Sequence, residues 1–192
     1  MDQAVTGLNK FKNLLEEINS IAAWVMPTVG ISPVVASLVG LNPPWPHKIG
    51  LTVATSAVVL FALVVVFQFL AHRMRHLVNA VMLASLLAAL ALGIAYFSAQ
   101  AFLVYQTPVT GEVFAKGFQC TDEAVQLFGK KCPWLDLDEL KTAEYEATRL
   151  WTLPSIAISK LTLLFLWFGL FAMCSVALGA FVRYQSSIKE KP

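Results

Sequence analysis

The most specific chemistry in the sequence belongs to its cysteines. Cys120 and Cys132 stand in a polar stretch, and Cys174 stands in an apolar run. Two thiols in an extracytoplasmic loop can oxidise to a disulfide. Closure brings the two Cα atoms within about 7 Å, so the chain must turn back at Lys130 and Lys131. The pair brackets TDEAVQLFG, which reads as a short helix. Thr121 suits its N-cap, Asp122 and Glu123 its first turn, and Gly129 its end. Such a disulfide staples a cap and does no redox work. Cys174 reads as a packed thiol. His72 and His76 stand at a spacing that can share a metal on a helix, but no third ligand is near. Histidines beside lipid headgroups are the plainer reading.

Lys160 is the remaining charged candidate. It falls near the outer end of an apolar run, where its ammonium can snorkel to the headgroups. In an oligomer, a ring of such lysines would instead line a pore entrance and favour anions. Gln68, Asn79 and Gln100 lie near span ends and can line a wet vestibule or hydrogen-bond between helices. No Asp or Glu falls inside any apolar run, which argues against an ion-coupled transporter or proton pump.

These residues need a membrane around them. The 192-residue chain is 57% hydrophobic and 14% charged, against roughly 25% charged in soluble domains. LTVATSAVVLFALVVVFQFL, 51–70, carries no charge, and about 20 residues at ~1.5 Å each cross a ~30 Å hydrocarbon core. The link His72-Arg73-Met74-Arg75-His76 follows, and then a second charge-free run over 77–104. A link this short makes a helical hairpin, and Arg73 and Arg75 place it on the cytoplasmic side. Small residues at Ala84, Ala88, Ala91 and Ala95, and the pairs Ala89…Gly93 and Ser175…Gly179, allow close helix approach.

Before this hairpin, residues 1–19 form an amphipathic arm, with Val5, Leu8, Phe11 and Ile18 at helical spacing. It is suited to the membrane surface or to docking on its neighbours. The uncharged stretch 21–41 holds Pro27, Gly30 and Pro33. It is either a kinked first span or a re-entrant segment shielded by protein. Three prolines around Trp45 then make a rigid link, with Trp45 as an interfacial anchor.

After the hairpin, residues 106–150 carry eight acidic and five basic side chains, as befits the non-cytoplasmic face. A second loop helix is expected over 137–151. The last span follows Pro154 and ends at Arg183. Arg183, Lys189 and Lys191 put the tail in the cytoplasm, and the N-terminus joins them if 21–41 spans.

The expected fold is therefore all-α: a multi-pass transmembrane bundle of four spans with a small disulfide-stapled extramembrane helical loop. Its parts are the arm (1–19), three spans (20–104), the extracytoplasmic loop (105–150), the last span (151–183) and the cytoplasmic tail (184–192).

The span order and cysteine-bearing large loop look superficially like a tetraspanin, but the Cys-Cys-Gly motif of that family is missing. The layout across the whole chain also resembles the small four-span membrane subunits of bacterial anti-phage defence systems, the Kiwa-like subunits. That resemblance is one of layout and carries over no functional residue. It implies a self-associating inner-membrane protein working with a cytoplasmic partner.

No phosphate loop, zinc motif or nucleophile elbow is present, so no enzyme, cofactor or nucleic-acid partner is expected. The leading expectation is a homo-oligomeric channel, pore or membrane-perturbing effector. The alternative is a non-conducting sensor or scaffold, with the stapled loop as external receptor and the basic inner face recruiting a partner.

Overall fold

The computed structural model describes residues 33–38, 41–45, 48–70, 75–108 and 111–189. The N-terminal arm, His72, Arg73 and most of the expected first span lie outside the described residues. Within that span, 33–38 are helical. The elements run α1 (Lys48–Leu70), α2 (Arg75–Leu103), β1 (Val104–Gln106), β2 (Val113–Ala115), α3 (Asp122–Phe128), a 3-10 turn (Gly129–Lys131), α4 (Leu137–Thr142), α5 (Ala147–Leu150) and α6 (Leu153–Lys189). Three helices are long and apolar enough to cross a membrane, over Ile49–Leu70, His76–Leu103 and Leu153–Tyr184. The chain is consistent with an integral membrane protein.

The all-α expectation needs correction, because β1 and β2 form an antiparallel ribbon. Its register pairs Val104 with Ala115, Tyr105 with Phe114 and Gln106 with Val113. β-branched and aromatic residues on both sides of a Pro- and Gly-bearing turn favour a hairpin over a longer helix. The expected helix over 137–151 is also broken. It stops at Thr142 and resumes at Ala147, because Glu144 and Tyr145 hold left-handed backbone at φ 55° and 60°.

The chain divides into two compact units, one of Met1–Leu41, Thr52–Leu86 and Ala172–Pro192 and the other of Asn42–Leu51 and Leu87–Phe171. In the first unit, α1 buries Thr55, Val59, Leu63, Val66 and Leu70, a stripe at three- and four-residue steps. Val66 and Leu70 join Val78 of α2 and Ala180 of α6 in one cluster. Gly179 permits this approach: a Cβ there would stand 3.1 Å from Val66 Cγ1. The other face of α1 is just as apolar and stays open, with Phe61 71% exposed. A helix apolar all round belongs in hydrocarbon, where lipid covers that face.

In the second unit, small residues again set the spacing between the later part of α2 and the earlier part of α6. Gly93 lies beside Leu170, and Gly169 lies beside Leu92. Tyr96 and Trp167 pack against each other with ring centroids 5.4 Å apart and planes tilted by 52°. Pro154 is the second residue of α6, where its missing N–H removes no intrahelical bond.

The rest of this unit is a cap with its own core of Tyr105, Ala124, Leu135, Leu140, Leu150, Trp151 and Ile156. Trp151 is fully buried at its centre. Its indole Nε1 donates to the Pro133 carbonyl at 3.1 Å. The backbone at Gly117 lies so close that a Cβ would collide with Trp151 and Ser155. Thr121 N donates to Leu150 O at 3.1 Å and Thr152 N to Gln119 O at 2.9 Å, which ties the start of α3 to the head of α6.

A cleft between the cap and the head of the last helix

The helix read between the two cysteines is present. Thr121 caps α3 by accepting from Ala124 N at 3.2 Å, and Gly129 ends it at φ 54°. The 3-10 turn at Gly129–Lys131 then reverses the chain, and Cys120 and Cys132 are joined in a disulfide with Cα atoms 6.3 Å apart. Closure through Lys130 and Lys131 is what the spacing required.

Across the edge of the staple, the Lys131 ammonium meets the Glu139 carboxylate at 2.5 Å, while Asp136 N donates to the other Glu139 oxygen at 2.8 Å. The Lys131 hydrogen bond holds the Glu139 carboxyl below its ordinary value, against an opposing effect of burial. The same hydrogen bond, joined by the charge of Glu139, raises Lys131.

The two shifts give cap stability two edges. The carboxyl is depressed on folding, so its contribution is present above the unfolded value of about 4.3 and lost as pH falls through the lower folded value. The ammonium is raised, so its contribution is present below about 10.4 and lost as pH rises through the higher folded value. Cap protection measured by hydrogen exchange is expected to be flat at neutral pH and to fall at both edges. Glu139→Gln should remove the acid edge and, because it removes the partner that raises Lys131, weaken the alkaline one.

The cap also forms part of a cleft of about 750 Å³. Three backbone features and one helix build it. The β1–β2 hairpin contributes Thr107 and Glu112 from its turn and Phe114 from β2. That turn is closed by Thr107 N donating to Glu112 O and by Gly111 N donating to Thr107 O, both at 2.9 Å. Gly111 supplies the left-handed backbone at φ 68°. The α4–α5 turn contributes Glu144, Tyr145 and Glu146, and the start of α5 contributes Thr148. The first turns of α6 contribute Leu153, Ile156 and Lys160.

Two consecutive non-glycine residues in left-handed backbone cost of order 1–3 kcal/mol each, so other bonds must hold them. Tyr145 N donates to Leu140 O at 2.9 Å, and the Tyr105 hydroxyl donates to Tyr145 O at 2.9 Å. Burial pushes the Tyr105 phenol up to about 12, so it remains a donor throughout the physiological range. The turn thereby presents Glu144 to the cleft beside Glu146, whose carboxylate pairs with Arg149 at 2.8 Å. Lys160 is the cation of the cleft wall and makes no ion pair among the described residues.

Of the residues singled out from the sequence, Cys120 and Cys132 are joined and Lys160 forms part of the cleft wall. Gln68 and Asn79 are exposed on α1 and α2, and Gln100 is half-buried in the last turns of α2. Trp45 is 46% exposed. Arg75 opens α2. Among the described residues no three His, Cys, Asp or Glu side chains are grouped to hold a metal. Glu144, Tyr145 and Glu146 were hidden in what reads as an unbroken helix. The hairpin had a visible signal in VYQTPVTGEVFA.

Neither a protein-family model, a curated protein nor a solved structure matches the chain.

Proposed function

We propose that the chain is a membrane-embedded receptor whose cap receives a ligand and whose last helix carries the effect across the bilayer. One observation supports this most: the cleft is walled by both the cap and Leu153, Ile156 and Lys160 of α6. An occupant touches the helix directly. α6 then continues without a break to Lys189, 37 residues in all, or roughly 55 Å at ~1.5 Å per residue. Its continuity from the cleft wall to the far end of the apolar run supports the reading. In this reading the cap lies outside the inner membrane of a bacterium. Arg73, Arg75 and Arg183 mark the cytoplasmic side, where the tail meets a protein partner of the kind the Kiwa-like layout implies.

Cys174 makes this testable, because it is the chain's free thiol and lies exposed on α6. A spin label on Cys174 in reconstituted vesicles is expected to change mobility when Thr148→Trp fills part of the cleft. An unchanged label, in a protein whose cap stays protease-resistant, would contradict coupling through α6.

A self-assembled channel is the second reading, favoured by the face of α2 bearing Ala84, Ala91 and Ala95. These small residues are exposed on the single chain, whereas Ala89 is buried and Gly93 and Gly179 are already packed inside it. Ion flux in liposomes, with oligomer mass taken on the same sample, separates the readings. Flux whose charge selectivity changes with Lys160→Glu supports the channel. A sealed membrane supports the receptor.

A further inference from the structure

We infer that the ligand of this cleft is the headgroup of an aminophospholipid, with its phosphate on Lys160 and its primary ammonium between Glu144 and Glu146. The inference rests on the receptor reading and names its ligand. Three features of the cleft converge on that chemistry.

The first is depth. Lys160 stands 23 residues before Arg183, which is roughly 35 Å along a helix at ~1.5 Å per residue. With Arg183 at the inner surface, a hydrocarbon core of ~30 Å places Lys160 among the outer headgroups. The cleft therefore opens where headgroups are found and where a soluble solute competes with molar concentrations of lipid.

The second is charge. The cleft wall carries one ammonium, Lys160, and the carboxylates of Glu112, Glu144 and Glu146, the last of which also pairs with Arg149. An anionic lipid such as phosphatidylglycerol would satisfy Lys160 and be repelled by Glu144. A simple amine would satisfy the acids and leave Lys160 facing the same occupant. A zwitterion with phosphate and ammonium a few atoms apart complements both signs. A primary ammonium also donates up to three charge-assisted hydrogen bonds to carboxylates, and a quaternary choline donates none.

The third is polarity. Phe114, Leu153 and Ile156 supply an apolar wall beside the charges, and Leu153 is itself exposed on α6. The glycerol and the first acyl carbons can lie along that wall, while the chains continue down the apolar surface of α6.

The experiment uses the full chain in nanodiscs containing equal parts phosphatidylethanolamine, phosphatidylcholine and phosphatidylglycerol. Native mass spectrometry then counts the lipids retained after stepwise activation. Retained phosphatidylethanolamine is expected to exceed phosphatidylcholine by about tenfold, the worth of one charge-assisted bond at ~1.4 kcal/mol per decade. Glu144→Gln with Glu146→Gln should abolish that preference, and Lys160→Glu should reduce retention of phosphatidylethanolamine itself. Glu123→Gln, which is not part of the cleft lining, should change neither.

Equal retention of the three lipids would overturn the inference. So would an ethanolamine preference that survives the Glu144 and Glu146 substitutions in a protein with its disulfide intact. Soluble phosphoethanolamine that competes off the retained lipid supports headgroup recognition, and failure to compete at millimolar concentration counts against it. If the Cys174 label responds to Thr148→Trp while no lipid is preferred, the receptor reading stands and the lipid inference alone falls.

Discussion

Trp151→Ala is expected to unfold the cap while leaving the apolar helices inserted. The side chain is fully buried in a cluster drawn from β1, α3, α4, α5 and the head of α6. Removing a buried aromatic of this size costs about 3–5 kcal/mol through lost transfer energy and the cavity left behind. The Pro133 carbonyl also loses its indole donor. A cap of some 50 residues has little stability beyond that, at roughly 0.05–0.15 kcal/mol per residue.

Limited proteolysis in detergent gives the readout. The variant should be cut rapidly after Lys131 or Arg149, with α1, α2 and most of α6 protected as before. Trp151→Phe separates the two contributions. It keeps most of the apolar volume and loses only the Nε1 donor, so its loss should be about 1 kcal/mol. A Trp151→Ala protein as resistant as the parent would mean that this cluster is not what holds the cap.

Loss of the Cys120–Cys132 disulfide is the second large effect. The cross-link closes a loop with a sequence separation of 12. Constraining a loop of about this length in the unfolded chain is worth ~3 kcal/mol in the loop-entropy account. Cys120→Ser with Cys132→Ser should therefore lower the urea midpoint of cap unfolding, and reduction of the parent should match it. The disulfide and Trp151 are not independent. Cys120 pairs in an isolated bridge with Trp151, and Cys132 precedes the Pro133 that accepts from the indole. The two losses should consequently fail to add when combined. Equal midpoints for reduced and oxidised protein would overturn the account of the staple.

The sequence made some of this legible and hid the rest for physical reasons. Charge-free runs of span length located α1, α2 and α6 within a few residues, because length and composition suffice for a helix in lipid. Thr121, Asp122, Glu123 and Gly129 bounded α3 because capping is a local property. The break at Glu144 and Tyr145 was not local. Neither residue prefers left-handed backbone, and the turn is held by Tyr105, 40 residues away in sequence. The cleft was equally hidden, because its wall unites Glu112, Glu144 and Lys160 only after the cap folds. Lys160 stood out from the sequence as a lone cation at a span end, and its acidic counterparts become visible only with the turn that presents them.

The receptor account requires the cap, with its cleft, to stand on the outer face of the membrane. The most direct test is thiol labelling of the Cys174→Ser protein, in which Cys120 and Cys132 are the remaining cysteines. In intact cells, a membrane-impermeant maleimide is expected to label both thiols after mild reduction and neither thiol before it. Labelling that appears only when the cytoplasmic face is opened, or that needs no reduction, would contradict the account.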